Sequence, residues 1–448
     1  MGKSKILGSG AGNVVNGIIE QYYAATDDVK ANTFVEYVEK FELTAPSAGN
    51  QIATSNLCVT VSAVKLTDSK VFIAYNKKSG YYYNVYGVVC TIENGIISAG
   101  TPVVIDNTET VPHSAQYIVA MALTSTKIAI AYSNDRSETL TSAWSVICTI
   151  SGKSISVGTK KELTSSIRYW GNIRAAKLSD SSFIVVCQTE NYYIYSAVCT
   201  VSGTTITMGT AAQISDSSKG TKPLFDITGL SSSKALLALD QYGSTSTSSY
   251  YSAYVMILSI NGTSITVGTG YKTDSYAMSA PVTVKALSET KAIVAFQTTY
   301  EYFQICTISG TTVSLSSKVY SGNSNYMGWL EVLDESTLVF YYPSSDNSFA
   351  KLISISDTTI TISATTTSFA KPYGRSNDYS CIAFAQYISG MLLFVYGMPG
   401  DGNIGAQLSE VLDYKGIIPL TASAKFLGLT MTKATKTSQG KVWTLKGE

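Results

Sequence analysis

One ten-residue phrase returns along this chain, and its return limits the folds open to it. LTDSKVFIAY begins at Leu66, LTSTKIAIAY at Leu123, LSDSSFIVVC at Leu178, LSSSKALLAL at Leu230, LSETKAIVAF at Leu287 and LDESTLVFYY at Leu333, and a degenerate copy, YISGMLLFVY, begins at Tyr387. The copies lie roughly 50 residues apart, a period typical of solenoids, propellers and arrays. A length of 448 residues would by itself point to about three domains. Seven copies of one unit point instead to a single repeat array.

Each copy parses into four strands. The first precedes the repeated leucine, as in AQYIVAMAL at 115–123, and the second is an apolar run such as Ile128 to Tyr132. An unbroken run requires burial on both faces. The third strand alternates and ends in a Cys-Thr-Ile/Val phrase at Cys90, Cys148, Cys199 and Cys306. A tight turn follows, with Ser151-Gly152, Ser202-Gly203, Asn261-Gly262 or Ser309-Gly310 supplying the position with positive φ that a two-residue hairpin needs. The fourth strand alternates strictly, as in Ser154-Ile155-Ser156-Val157, and is usually stopped by Gly, which limits edge pairing. Inner, doubly buried, half-buried and edge strands are the positions of a propeller blade. The expected fold is all-β: a seven-bladed β-propeller of four-stranded blades over 48–410, plus a small β module formed by the N- and C-terminal segments. A row of β-sandwiches is the competing architecture, and the lack of Pro-rich or charged linkers argues against it.

The terminal module spans 14–47 together with 411–448, and 1–13 form a flexible arm. The arm's GSGAGN cluster has no strand before it and implies no phosphate cradle. Two segments compete to complete the last blade: Ile417 to Leu420, where Pro419 requires an edge, and the stretch just before Ser55.

A net charge of +1 with 14% charged residues gives no footprint for nucleic acid or a polybasic membrane anchor. No stretch approaches the ~20 apolar residues of a membrane span. The start, MGKSKILGSGAGN, has neither a secretory core nor a Ser or Thr in place of Ile6 for myristoylation, so synthesis in a cytoplasm is expected. The seven cysteines are an odd number, and the four in the shared phrase read as reduced core residues. The one histidine, His113 in TVPHSAQ, would have to serve any His-based metal site or Ser-His triad. A non-enzymatic chain with no catalytic residue, metal or cofactor is therefore the expectation. Asp135, Glu190, Asp240, Glu301 and Asp346 lie in or beside loop segments but recur at no fixed blade position, and they read as solvated acids. The sequon Asn261-Gly262-Thr263 falls in a hairpin turn and is discounted.

In a ring of such blades, the first-to-second and third-to-fourth turns share one face. The second-to-third loops and the crossings between blades share the other, and NKKSGYYYNVYG (76–87), SNDRSETLTSAW (133–144), QTENYYIYS (188–196), DQYGSTSTSSYYSAY (240–254) and QTTYEYF (297–303) read as its long loops. These segments supply the candidate ligand-binding residues Tyr81, Tyr82, Tyr83, Trp144, Tyr192, Tyr193, Tyr195, Tyr250, Tyr251, Tyr300 and Tyr302. Tyrosine joins an apolar ring to a polar tip and suits contact with sugar or protein. It also favours strands, so plain packing is the alternative.

The terminal phrases VKANTFVEYV and FLGLTMTKATKTSQGKVWTL resemble small β modules that bracket a variable body in tailed-phage and prophage virion proteins of Gram-positive hosts. The LTxSKxxIAY and CTISGxxIxxGT phrases resemble propeller repeats of phage tail and head-surface proteins. The resemblance implies a virion surface protein, made in the host cytoplasm. In that role residues 1–47 and 411–448 dock on other virion proteins and the propeller decorates the particle or binds a host glycan or protein. A tail or baseplate receptor-binding adhesin and a polysaccharide depolymerase are the alternatives.

Overall fold

The computed structural model describes residues 14–15, 18–25, 34–43, 45–54, 60–79, 82–107, 117–135, 140–168, 173–188, 193–214, 225–244, 249–273, 282–297, 300–322, 328–343, 348–363, 366–369, 382–388, 391–398, 403–419, 428–430 and 439–445. They hold strands and turns and no helix. The chain forms two compact units, 45–410 and the joined ends 1–44 with 411–448.

The apolar runs become the second strand of each blade. Blade 1 is built from Val61–Thr67, Lys70–Ser79 and Tyr82–Glu93, with Ile96–Ala99 outermost. Blades 2 to 6 repeat that antiparallel order, their inner strands being Ile118–Thr124, Ile173–Ser179, Phe225–Ser231, Thr283–Ser288 and Trp329–Asp334. Blade 7 has Ile382–Ile388 and Met391–Gly397, followed by Ile404–Pro419, of which the part up to Glu410 belongs to this unit.

Period-two alternation then joins blade to blade. In blade 1, Phe72 and Ala74 pack with Ile128, Ile130 and Tyr132 of blade 2. Their neighbours Val71, Ile73 and Tyr75 pack with Leu393 and Val395 of blade 7. The same interleaving links Ala129 to Phe183, Ile184 to Leu237, Leu236 to Val294 and Ile293 to Phe340. Every second strand is thus sandwiched between its two neighbours, each buried Val, Leu, Ile or Phe contributing about 1.5–3 kcal/mol. The inner strand Ile382–Ile388 lies against Val61–Thr67, which closes the seven-bladed ring.

The repeated phrase also encodes its first turn. The residue after the repeated leucine accepts a hydrogen bond from the backbone two positions on: Ser69 N–H donates to Thr67, Thr126 to Thr124, Ser181 to Ser179, Ser233 to Ser231, Thr290 to Ser288 and Ser336 to Asp334. The third-to-fourth turns use Gly152, Gly203, Gly262 and Gly310 at φ between 61° and 63°.

The outer strand corrects one expectation. Gly interrupts it without ending it: Gly158 N–H donates to Ile147 O at 2.8 Å, and the strand resumes as Lys161–Arg168 on the same third strand. Glycine is needed at this break because the next blade's hairpin presses on it. A Cβ at Gly209 would stand 2.5 Å from Thr263 Cβ, and one at Gly158 would stand 2.8 Å from Thr204 Cβ.

The last blade takes its outer strand from the stretch before Ser55. Asn50–Ala53 pairs antiparallel with Ile404–Ala406, Ser47 N–H donates to Leu408 O at 2.7 Å, and Ile52 and Ala53 join the core shared by blades 7 and 1. In the terminal unit, Ile18–Ala25 pairs with Gln439–Leu445, and Phe34–Leu43 pairs with Val411 to Pro419, making a small sheet from both chain ends. The arm 1–13 and His113 lie outside the described residues.

Candidate functional site

Chain direction puts the second-to-third connections and the blade crossings on one face of the ring. Much of what reads as loop there is hairpin. Ser79 pairs with Tyr82, Ser244 with Ser249 and Gln297 with Glu301, so the strands run almost to the tips. Tyrosine's preference for pleated, half-buried surface outweighs the polar composition. Tyr82, Tyr83, Tyr250 and Tyr251 are therefore strand residues. Tyr81 and Tyr192 lie outside the described residues.

Trp144, Tyr195 and Tyr302 belong to a belt that the loop reading missed. One position of the third strand, opposite the last residue of the repeated phrase, carries Tyr86, Trp144, Tyr195, Tyr254, Tyr302 and Phe349 in blades 1 to 6. All six are half-buried. Three of them lie against second-strand aromatics, with centroids 5.8 Å apart for Tyr75–Tyr86, 6.1 Å for Phe296–Tyr302 and 5.7 Å for Tyr342–Phe349. Lysines cover several: Lys160 Nζ lies 4.8 Å from the Trp144 ring centre, Lys318 Nζ 4.8 Å from Tyr302 and Lys77 Nζ 5.5 Å from Tyr86. Tyr195 donates from its hydroxyl to Gln213 at 3.2 Å, and Tyr193 beside it is half-buried.

Blade 5 differs because its rings reach solvent. Tyr300 is 43% and Tyr320 45% exposed; their centroids are 5.3 Å apart, edge to face, and Tyr320 lies 6.0 Å from Tyr302. Glu301–Ser309 and Val319–Tyr320 position the group through the pairing of Tyr302 with Tyr320.

Two acids read as solvated are buried. Glu301 is fully enclosed, and its Oε1 accepts from Gly328 N–H at 2.9 Å. Asp240 is 2% exposed and neither carboxylate oxygen has a hydrogen-bond partner among the described residues; burial pushes its pKa up to about 8. The apolar run of blade 4 extends one residue past its neutral members, which places Asp240 inside. Side chains of Asp135, Glu190 and Asp346 lie outside the described residues. Asp106, also buried, is held between blades: Tyr132 Oη donates to Oδ2 and Lys160 Nζ to Oδ1, both at 2.8 Å. The phrase cysteines Cys90, Cys148, Cys199 and Cys306 are buried free thiols, pushed up to about 12 by desolvation. Among the described residues no three His, Cys, Asp or Glu side chains gather to hold a metal ion.

Polar groups on the inner strands stitch neighbouring blades along the axial channel. Ser62 Oγ accepts from Ala120 N–H at 3.0 Å, Thr228 from Ala286 N–H at 3.1 Å, and Asp226 from Val284 N–H at 3.0 Å and from the Thr283 hydroxyl at 2.9 Å. Arg174 Nε stands 3.9 Å from Asp226, and Lys285 Nζ 3.9 Å from Glu331. Burial pushes Glu331 up to about 7 against the pull of Lys285. Polar interruptions two and four residues before the repeated leucine are the sequence signal for this set.

No known protein family matches the chain, and no curated protein matches it. Its fold is similar to that of solved β-propellers. A protein from Lactobacillus plantarum is 12% identical, with 75% of this chain and 97% of that one covered, at a TM-score of 0.49. An ulvan lyase from a new polysaccharide lyase family is 9% identical over 82% of this chain and 96% of its own, at 0.48. The leech intramolecular trans-sialidase is 10% identical over 82% and 70%, at 0.43. The last two are enzymes, and this corrects the expectation of a non-enzymatic chain: a fold shared with enzymes leaves catalysis open, and scarce histidine does not exclude it.

Proposed function

We propose that this chain is a glycan-binding propeller that engages its ligand through the tyrosine-rich rim of blade 5, with its terminal unit carrying it on a virion. The observation that carries the binding reading is the Tyr300–Tyr320 pair. Two rings in mutual contact are each more than two-fifths exposed, although burying them would be favourable. Such a pair offers a ring face to the C–H side of a sugar and phenol tips to its hydroxyls. Tyr302 and the stitched blade behind it hold the platform in place, so binding orders few side chains. The virion role rests on the terminal phrases VKANTFVEYV and FLGLTMTKATKTSQGKVWTL.

Affinity electrophoresis through gels carrying host cell-wall or capsular polysaccharide tests the binding. The intact protein should be retarded by at least one such polymer, and Tyr300→Ala/Tyr320→Ala should lose about tenfold or more in affinity. Equal retardation of the two would defeat the assignment. For the virion role, the protein should copurify with particles and cease to do so when residues 411–448 are removed.

A further inference from the structure

The inner strands lining the axis differ from one side of the ring to the other. Four residues before the repeated leucine, blades 1 and 2 carry Ser62 and Val119, whereas blades 3 to 6 carry Arg174, Asp226, Thr283 and Trp329. Two residues before it, blades 1 to 3 carry Val64, Met121 and Ala176, the last two buried in the cores between blades, whereas blades 4 to 6 carry Thr228, Lys285 and Glu331. Alternation along a strand puts each pair of positions on one side, so Trp329 and Glu331 share a side of blade 6.

The spacing of the charges is informative. Lys285–Glu331 and Arg174–Asp226 are each separated by 3.9 Å, too far for a direct hydrogen bond. One oxygen about 2.8 Å from both atoms of such a pair fits between them, accepting from the cation and donating to the carboxylate. A hydroxyl has that dual character. The groups are reachable, with side-chain exposures of 35% for Lys285, 14% for Glu331, 26% for Arg174 and 18% for Asp226. They are also fixed, since Asp226 is held by Thr283 and Val284. Above about pH 7, where Glu331 is ionised, two cations face two carboxylates and leave no net charge to attract an ionic ligand.

We propose that this side of the channel is a second saccharide site, taking a neutral sugar whose hydroxyl bridges Lys285 and Glu331 while a ring face lies against Trp329. Arg174 and Asp226 provide a bridge of the same kind for a further sugar residue. The site is independent of the blade 5 platform.

Tryptophan fluorescence of the full chain at a pH above 7, titrated with methyl glucoside and with methyl glucuronoside, tests it. A saturable change is expected with the neutral glycoside, at an affinity no weaker than for the charged one. Trp329→Phe should remove the signal and Lys285→Met should weaken binding about tenfold. Glu331→Gln keeps the shape of the side chain, serves if Lys285→Met fails to fold, and should weaken binding severalfold. Tyr300→Ala/Tyr320→Ala should respond as the parent does, so the two sites can fail separately. No saturable response at tens of millimolar, a preference for the glucuronoside, or parent-like affinity in Glu331→Gln would overturn the proposal.

Discussion

Asp240 shows how strongly position acts on a single residue here. Its oxygens are enclosed with no partner among the described residues, and burial makes the folded chain hold the proton up to about pH 8, whereas an exposed aspartate releases it near 3.8. A raised folded pKa means that the stabilisation is complete below about pH 4 and is lost as pH rises to about 8, at up to about 1.4 kcal/mol per pH unit. Asp240→Asn should flatten this dependence, and denaturant unfolding of both proteins from acid to alkaline pH would read it; parallel curves would exclude the carboxyl as the source. The sequence held the cue, because KALLALD continues an apolar run directly into Asp240. Reading its neighbourhood as loop hid it. Trp144, Tyr195 and Tyr302 could be found by composition, but Tyr86, Tyr254 and Phe349 share their register and emerge only when third strands are aligned residue by residue.

At the scale of elements, turns were the most legible feature, since each needs a particular residue at a particular φ. Blades 1 and 6 depart from the pattern: Asn94 and Asp357 occupy the position held by glycine in blades 2 to 5, at φ 51° and 54°. Asp357→Gly removes the crowding an L side chain meets there and should raise stability by about 1 kcal/mol, measurable as a higher melting temperature. An unchanged or lower value would mean that the Asp357 side chain compensates for its backbone. The outer strand was less legible. Gly158 and Gly209 read as stops because their local sequence resembles an end, yet they mark breaks created by the neighbouring blade's hairpin, a contact no local pattern contains. The hairpin tips were misjudged for the opposite reason: Ser, Asn and Gly mark loops by composition, but pairing continues through them.

For the whole molecule, the ring follows from seven apolar runs that each need two covers, and the blade on either side supplies them. That much was readable from the repeats, whereas the closing strand Asn50–Ala53 was one of two competing segments until its pairing with Ile404–Ala406 decided it. The ring makes neighbours of side chains some 50 residues apart in sequence, which is how Arg174 meets Asp226 and how Lys285 meets Glu331. It also leaves Tyr300 and Tyr320 of blade 5 standing in solvent on a rigid support. Crystals of the protein soaked with an oligosaccharide from a polymer that retards it would test the binding account most directly. A sugar ring packed on Tyr300 and Tyr320 is the expected result, and a ligand seated elsewhere with those two rings bare would contradict it.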